Sequence, residues 1–409
     1  MRHFKDLTQK SAHTYYLSMR NKVANFRGSD EVTTPRRQVL TALRDLGPQT
    51  RIELARQTGL SPTTMTRVVA QLIDDKCIAE GETVSRRGTG RPGTEISIVA
   101  DSYFVVGVQI GIGFVRLGIS DLLGNCAHID GFSYQSGTPA GDVLAQVGHQ
   151  VVNLCRSAGI PNSQLLGVGV AVPGPVDQQQ RRLLYPINLD WRDVPVADLL
   201  EPIVGVPVVV EHNVRAMALA ETRFGLGKEA DSVAFVYLRT GIGAGLVVDG
   251  QAFLGGVHGA IELGHLRVVD GGARCVCGST GCLETLFSED ALRRRLERHG
   301  IDPGNQQPFA VMLEAAKTNT DLHDEVTLLT NHLATGLSAL INLLTPEIMV
   351  LGGALSLASD EFVENLAMVT RDAVFPVIRP TVNLRRASLG MDAGVNGGAT
   401  VALDRFFYI

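Results

Sequence analysis

Four residues in the second half of the sequence have the types and spacing of metal ligands. His265, Cys275, Cys277 and Cys282 supply one imidazole and three thiols, a donor set that closes a tetrahedral Zn2+ site and leaves no open position for a catalytic water. Such a site is structural. Residues 264–282 are rich in glycine and poor in apolar side chains, so a metal crosslink would hold this loop where a hydrophobic core cannot. Free or redox-active thiols are the other reading of the cluster. The remaining cysteines, Cys77, Cys126 and Cys155, stand apart and read as small core residues.

A second set of chemistry-bearing residues lies near the start: Thr63, Thr64, Arg67 and Gln71, with Arg86, Arg87 and Arg91 beyond them. The first four fall opposite the apolar stripe Met65, Val68, Val69, Leu72 and Ile73 of a helix that Ser61 caps and Pro62 opens. Two shorter helices precede it. One carries Val39, Leu40, Leu43 and Leu46 and stops at Gly47-Pro48; the other is capped by Thr50, turns Ile52, Leu54 and Ala55 inward and ends at Thr58-Gly59-Leu60. Two helices joined by a tight glycine turn, the second with short polar groups and an arginine near its start, suit insertion into a major groove; an ordinary helical hairpin is the alternative. Residues 77–80 and 94–99 then read as strands around the basic, glycine-rich segment 85–93, a wing whose arginines would lie along phosphates or enter a minor groove.

Charge divides along the same line. Residues 1–100 hold 16 Lys and Arg against 10 Asp and Glu, while the rest of the chain holds 21 against 32. A basic head on an acidic body points to an anionic partner for the head alone. The 409 residues with 45% hydrophobic content predict a globular protein of two or three domains. No stretch reads as a membrane helix and the polar start has no apolar h-region, which predicts a cytoplasmic protein. Residues 1–34 are left open between a packed helix and a basic arm.

From Phe104 onward short apolar strands alternate with helical patterns: strands at 104–110, 115–121, 126–132 and 166–172, a helix at 140–158, and glycine turns at 111–113, 241–245, 255–256 and 352–353. These turns expose backbone N–H groups to oxyanions or hydroxyls.

At residues 106–111, 171–177, 210–221, 240–250, 259–288 and 344–353 the sequence resembles regulators of the ROK (repressor, open reading frame, kinase) family, and residues 262–284 carry the most specific part of the match. The resemblance runs from about residue 35 to the C-terminus. It implies an α/β protein: a winged helix-turn-helix followed by a two-lobed, actin-like sugar-kinase fold with a structural zinc site. The implied division is an N-terminal extension (1–34), a DNA-binding domain (35–100), a first lobe (101–212 with 392–409, including a last helix at about 393–406) and a second lobe (213–391) with the zinc site.

The resemblance also implies that His265 binds metal through one nitrogen and a sugar hydroxyl through the other. Glu262 and Glu284 would converge on the same sugar as charge-assisted acceptors, with solvated surface acids as the alternative, and His212 and Asn213 would hydrogen-bond it. Catalysis is not expected. The family's kinases have Asp where Asn213 stands, and an amide cannot take the proton from an attacking hydroxyl. The turn Gln109-Ile110-Gly111-Ile112-Gly113 also lacks the acidic residue and threonine of the kinases, whereas Thr240-Gly241-Ile242-Gly243 is intact. The function expected is a repressor of carbohydrate uptake or catabolism genes, responsive to a sugar or sugar phosphate. It would act as a homodimer or tetramer on a palindromic double-stranded operator, with recognition helices roughly 34 Å or a multiple apart. An active sugar kinase with an autoregulatory head, and a regulator sequestered by a sugar-transport protein, are the alternatives.

Overall fold

The computed structural model describes residues 34–84, 93–186, 189–254 and 261–409. The segment 1–33 and the proposed wing with Arg86, Arg87 and Arg91 lie outside the described residues, as do 187–188 and the glycine turn at 255–256.

The head contains α1 (Pro35–Leu46), β1 (Gln49–Thr50), α2 (Arg51–Thr58), α3 (Pro62–Asp74), β2 (Ile78–Val84) and β3 (Gly93–Ile98), with the strands in one antiparallel sheet of order β1-β3-β2. Each helix starts at a hydroxyl. Thr34 accepts from Arg37 N, Ser61 from Thr64 N, and Thr50 closes a reciprocal capping box with Glu53; a cap of this kind contributes about 1 kcal/mol. Gly47 and Gly59, at φ of +73° and +70°, end the first two helices where a β-carbon would be strained. Val39, Leu40, Leu54, Met65, Val69, Leu72 and Ile96 form the core. One expectation is corrected: Ile52 does not face inward but is 77% exposed, because two residues along a helix is a turn of about 200° and Leu54 takes the buried side.

The body is mixed α/β. The first sheet is built from β4 (Phe104–Gly111), β5 (Phe114–Ser120), β6 (Cys126–Ser133), β7 (Leu165–Val172) and β8 (Val208–His212), in the order β6-β5-β4-β7-β8. The first three strands are antiparallel and β7 and β8 join in parallel. Helices α4 (Ala140–Ser157) and α5 (Val196–Val204) cover one face through Val143, Leu144, Val147 and Leu200. Next come α6 (Asn213–Phe224) and a second sheet of order β11-β10-β9-β12-β13, with β9 (Ser232–Leu238), β10 (Ile242–Val248) and β11 (Gln251–Ala252) leading. Helices α7 (Glu284–Phe287), α8 (Glu289–Arg298), α9 (Pro308–Ala315) and α10 (Thr320–Leu344) follow, before β12 (Ile348–Gly353), α11 (Asp360–Ala373) and β13 (Leu384–Arg386). The last helix, α12 (Ala393–Phe406), returns to the first sheet. It lies flush there because Gly107 and Gly169 leave no side chain between sheet and helix: a β-carbon at either would collide with Val395 O or Gly398 O. Helix α6 packs on α12 and on β9 and β10, so this helical pair separates the two sheets.

A second correction concerns α10. Residues 326–344 carry no Asp, Glu, Lys or Arg, and this is one helix among the described residues long and apolar enough to cross a membrane. In this fold half of that stretch is buried, where Leu329, Leu333, Leu337 and Ile341 pack with Val236, Met349 and Leu351 of the second sheet.

The head is fastened to the end of the chain. Arg44 of α1, with only 4% of its side chain exposed, lies 3.3 Å from Asp404 of α12 and 4.8 Å from the ring centre of Tyr408. The Tyr408 hydroxyl donates to Leu122 O at 2.6 Å, and Arg223, near the end of α6, reaches Asp404 from the other side at 3.2 Å.

Candidate ligand cleft and metal centre

The loop after β11 folds back on itself through a short pairing of Arg267 with Cys282 and of Arg274 with Thr280. Gly278 and Gly281 make its turns at φ of +90° and +72°. The fold brings His265, Cys275, Cys277 and Cys282 together, with all four ligand atoms within 4.8 Å of one another. His265 Nδ1 is 3.5 Å from Cys275 Sγ, and Cys277 Sγ is 3.8 Å from Cys282 Sγ. A tetrahedral zinc with bonds of about 2.3 Å to sulfur and about 2.05 Å to nitrogen has ligand edges of about 3.8 Å (S to S) and about 3.6 Å (S to N). The donor set therefore fits a metal ion in type and in spacing. It would serve as a crosslink, since all four positions are taken by protein. Burial pushes the Cys275 thiol up to about 12, and a bound dication would reverse that by stabilising the thiolate.

His265 turns its other nitrogen outward, with Nε2 3.9 Å from the exposed carboxylate of Glu262. Glu284, at the start of α7, completes this group. Its carboxyl lies against Gly241, where a β-carbon would collide with Oε2, and accepts from the Ile242 N–H. Burial raises its pKa above the usual carboxylate value, against the pull of His265 and of Ile242 N–H. Gly241 thus has a stated reason to be glycine: the turn before β10 must admit a carboxylate.

His212 and Asn213 stand at the end of β8 and the beginning of α6. The same strand joins them to the acidic group, since the missing side chains of Gly243 and Gly245 let Val214 of α6 press directly on β10. His212 Nδ1 is buried and meets no partner among the described residues. Burial, then Arg215, drives the imidazole down to about 3, so it is neutral at physiological pH and offers one donor and one acceptor. The Asn213 side-chain oxygen accepts from Val214 N at 2.7 Å.

The two glycine turns differ. In the first, Gln109 is 1% exposed and its amide fills the space beside Gly394, at the start of α12. The Phe114 ring occupies the space a side chain at Gly111 would need, and Tyr134 donates its hydroxyl to Gly111 O. Over that ring, with the guanidinium carbon 3.8 Å from its centre, lies Arg239, from the turn leading into β10. Arg239 N donates to Gly241 O at 3.0 Å. The sequence reading missed both residues. The available signal was a cation immediately before Thr240-Gly241.

On the head, Thr63, Arg67 and Gln71 of α3 are exposed and Thr64 is half-buried, its hydroxyl 2.9 Å from that of Ser61. Met65, Val68, Val69 and Leu72 are buried behind them.

The sequence model of the ROK family matches residues 105–405, which span both sheets and the loop that carries His265, Cys275, Cys277 and Cys282. The Escherichia coli K12 DNA-binding transcriptional repressor Mlc is 25% identical over 373 residues, covering 88% of this chain and 91% of the relative. A solved ROK family transcriptional regulator, a homologue of E. coli Mlc, superposes with a TM-score of 0.79 at 24% identity over 93% of this chain and 98% of its own. A ROK glucokinase from Streptomyces griseus, solved with glucose and AMPPNP, gives 0.65 at 28% identity over 74% of this chain and 99% of its own. With a match across three-quarters of its length, head excluded, the chain belongs to the ROK family.

Proposed function

We propose that this protein is a cytoplasmic DNA-binding regulator, a repressor of carbohydrate uptake or catabolism genes, whose effector is a sugar or sugar phosphate held in a kinase-like cleft that does not phosphorylate it. The carrying observation is the head itself: α3 buries one face and presents Thr63, Arg67 and Gln71 on the other, at the N-terminal side of a ROK body. A recognition helix in a winged helix-turn-helix would need such a face, which supports the reading. The Mlc relative, which spans the head as well as the body, bears a repressor's name. Arg86, Arg87 and Arg91 would supply the wing. The domain limits 35–100, 101–212 with 392–409, and 213–391 belong to this proposal, as does assembly into a homodimer or tetramer.

In the cleft Glu262, His265 and Glu284 would accept from and donate to vicinal hydroxyls, with His212 and Asn213 on the opposite side. Zinc bound by His265 Nδ1 and the three thiolates would fix the imidazole so that Nε2 faces the sugar. No carboxylate occupies position 213, and a missing general base alone costs ~10²–10⁴-fold in rate.

An electrophoretic mobility shift with DNA from upstream of sugar transport and catabolic genes tests the reading. A specific complex that one sugar or its phosphate dissolves is expected; absence of any specific complex across the panel overturns it. The intact Thr240–Gly243 turn and the likeness to a nucleotide-bound glucokinase favour a second reading, residual kinase activity. A coupled ATP-consumption assay over hexoses and amino sugars decides that, with no turnover above background expected.

A further inference from the structure

Arg239 is half-buried, and one of its guanidinium nitrogens is left without an acceptor by the fold. Its Nη1 is buried and has no hydrogen-bond partner among the described residues. One face of the guanidinium is taken up by the Phe114 ring, which satisfies none of its N–H donors. A guanidinium stays protonated at any physiological pH, and leaving a charged donor buried and unpaired is costly enough that such groups normally have an acceptor.

The position says what kind of acceptor. Arg239 is bonded through its backbone to Gly241, the residue against which the Glu284 carboxyl lies. Through Phe114 it also reaches the turn at Gly111 in the first sheet. The guanidinium thus lies on the ring that packs against one glycine turn, while its own backbone adjoins the other, where the Glu284 carboxyl of the proposed sugar site lies. Glycine turns add backbone N–H donors to a guanidinium fork, and several donors converging from different directions suit a tetrahedral oxyanion better than a planar carboxylate.

We infer that Arg239 recognises a phosphoryl group on the bound sugar, so that the effector is the phosphate monoester and not the free sugar. The inference rests on the reading of this cleft as a sugar site. It makes Arg239 a specificity-determining residue and gives Phe114 the role of holding the guanidinium flat at the seam between the two sheets.

Isothermal titration calorimetry on the full chain tests it, with glucose, N-acetylglucosamine and xylose each compared with its phosphate monoester, and with inorganic phosphate alone. For the cognate sugar the monoester should bind about 10-fold to 100-fold more tightly than the parent, the range of a charge-assisted hydrogen bond. Arg239→Ala should bring the monoester to within about threefold of its parent. Arg239→Gln, of similar length, should do the same and covers the case in which the alanine variant does not fold. Phe114→Leu keeps the charge and should keep most of the preference. A parent sugar that binds as well as its monoester, a preference that survives Arg239→Gln, or tight inorganic phosphate with no preference among sugars would each overturn the inference and leave the sugar site standing. Binding by neither form of any sugar would overturn the sugar-site reading along with it.

Discussion

The head and the metal loop are both small segments that must hold a shape, and they do so by opposite means. The head buries Val39, Leu40, Leu54, Val69, Leu72 and Ile96 completely and caps each of its three helices with a hydroxyl. In residues 266–282 the buried side chains are two cysteines, Cys275 and Cys282, while Leu266 and Val276 face outward. Two of the three thiols point in while Cys277 is exposed, and Val268 packs on the core of the second sheet, so the segment has little apolar burial of its own. The head can therefore fold on burial and capping alone, whereas the loop's order depends on what its sulfur atoms bind.

The largest effect that separates the two is loss of the metal. Cys277→Ser removes one of four donors and is expected to take zinc content from one ion per chain to none. Structural zinc sites in small peptides contribute about 10–16 kcal/mol of apparent binding energy, so order in the loop should go with it. Elemental analysis and hydrogen exchange check this: exchange should rise across 266–282 while residues 35–74 keep their protection. Full retention of metal would refute the ligand assignment. Loss of protection in the head would show that the two regions are not independently held.

A smaller and opposite effect is expected from the head's outer surface. Arg67 is exposed, so Arg67→Ala should leave thermal stability within about 0.5 kcal/mol. It should weaken operator binding by about 1–3 kcal/mol if its guanidinium pairs with a guanine, and by less if it meets only phosphate. Fluorescence anisotropy on a labelled operator at fixed salt gives the number. An unchanged affinity and footprint would remove Arg67 from the interface.

What the sequence revealed and what it hid follow from the range of the interactions. The limits of α3 were legible because a cap, a proline and a 3.6-residue stripe are local signals, all within residues 61–74. That His265, Cys275, Cys277 and Cys282 would cluster was legible because three of them lie within eight positions. Ile52 was misread because an eight-residue helix gives too few apolar positions to fix its phase. Residues 326–344 were misjudged because the charges that mark a soluble helix are gathered in its first turns. Hidden altogether were the pairings that close only in three dimensions: Glu284 against Gly241, Arg239 over Phe114, and Arg44 with Asp404, 360 residues away. These contacts join segments whose separation carries no periodic trace, and the last of them ties the head to α12.

The last of them yields the smallest and most specific expectation. Helix α6 begins at Asn213, beside the proposed sugar, and Arg223 near its other end touches Asp404, a span of about 15 Å at 1.5 Å per residue. Asp404 in turn touches Arg44 of the head. One carboxylate thus lies between the helix that would sense the ligand and the helix that anchors the DNA-binding unit. Asp404 is one-quarter exposed, but the Arg44 and Arg223 side chains that it meets at 3.3 and 3.2 Å are largely buried; Arg44 keeps Asp45 as a partner, so Asp404→Asn should cost about 1–2 kcal/mol of stability. If the contact differs between the DNA-bound and effector-bound states, the substitution should also reduce the ratio of operator dissociation constants with and without effector. A loss of about fivefold to tenfold would fall within typical allosteric couplings of ~1–3 kcal/mol. Metal content and effector affinity measured without DNA control for damage to the cleft or the loop. A coupling ratio equal to that of the unmodified protein would show that Asp404 only fastens the head in place, and that the ligand reaches the DNA by movement elsewhere.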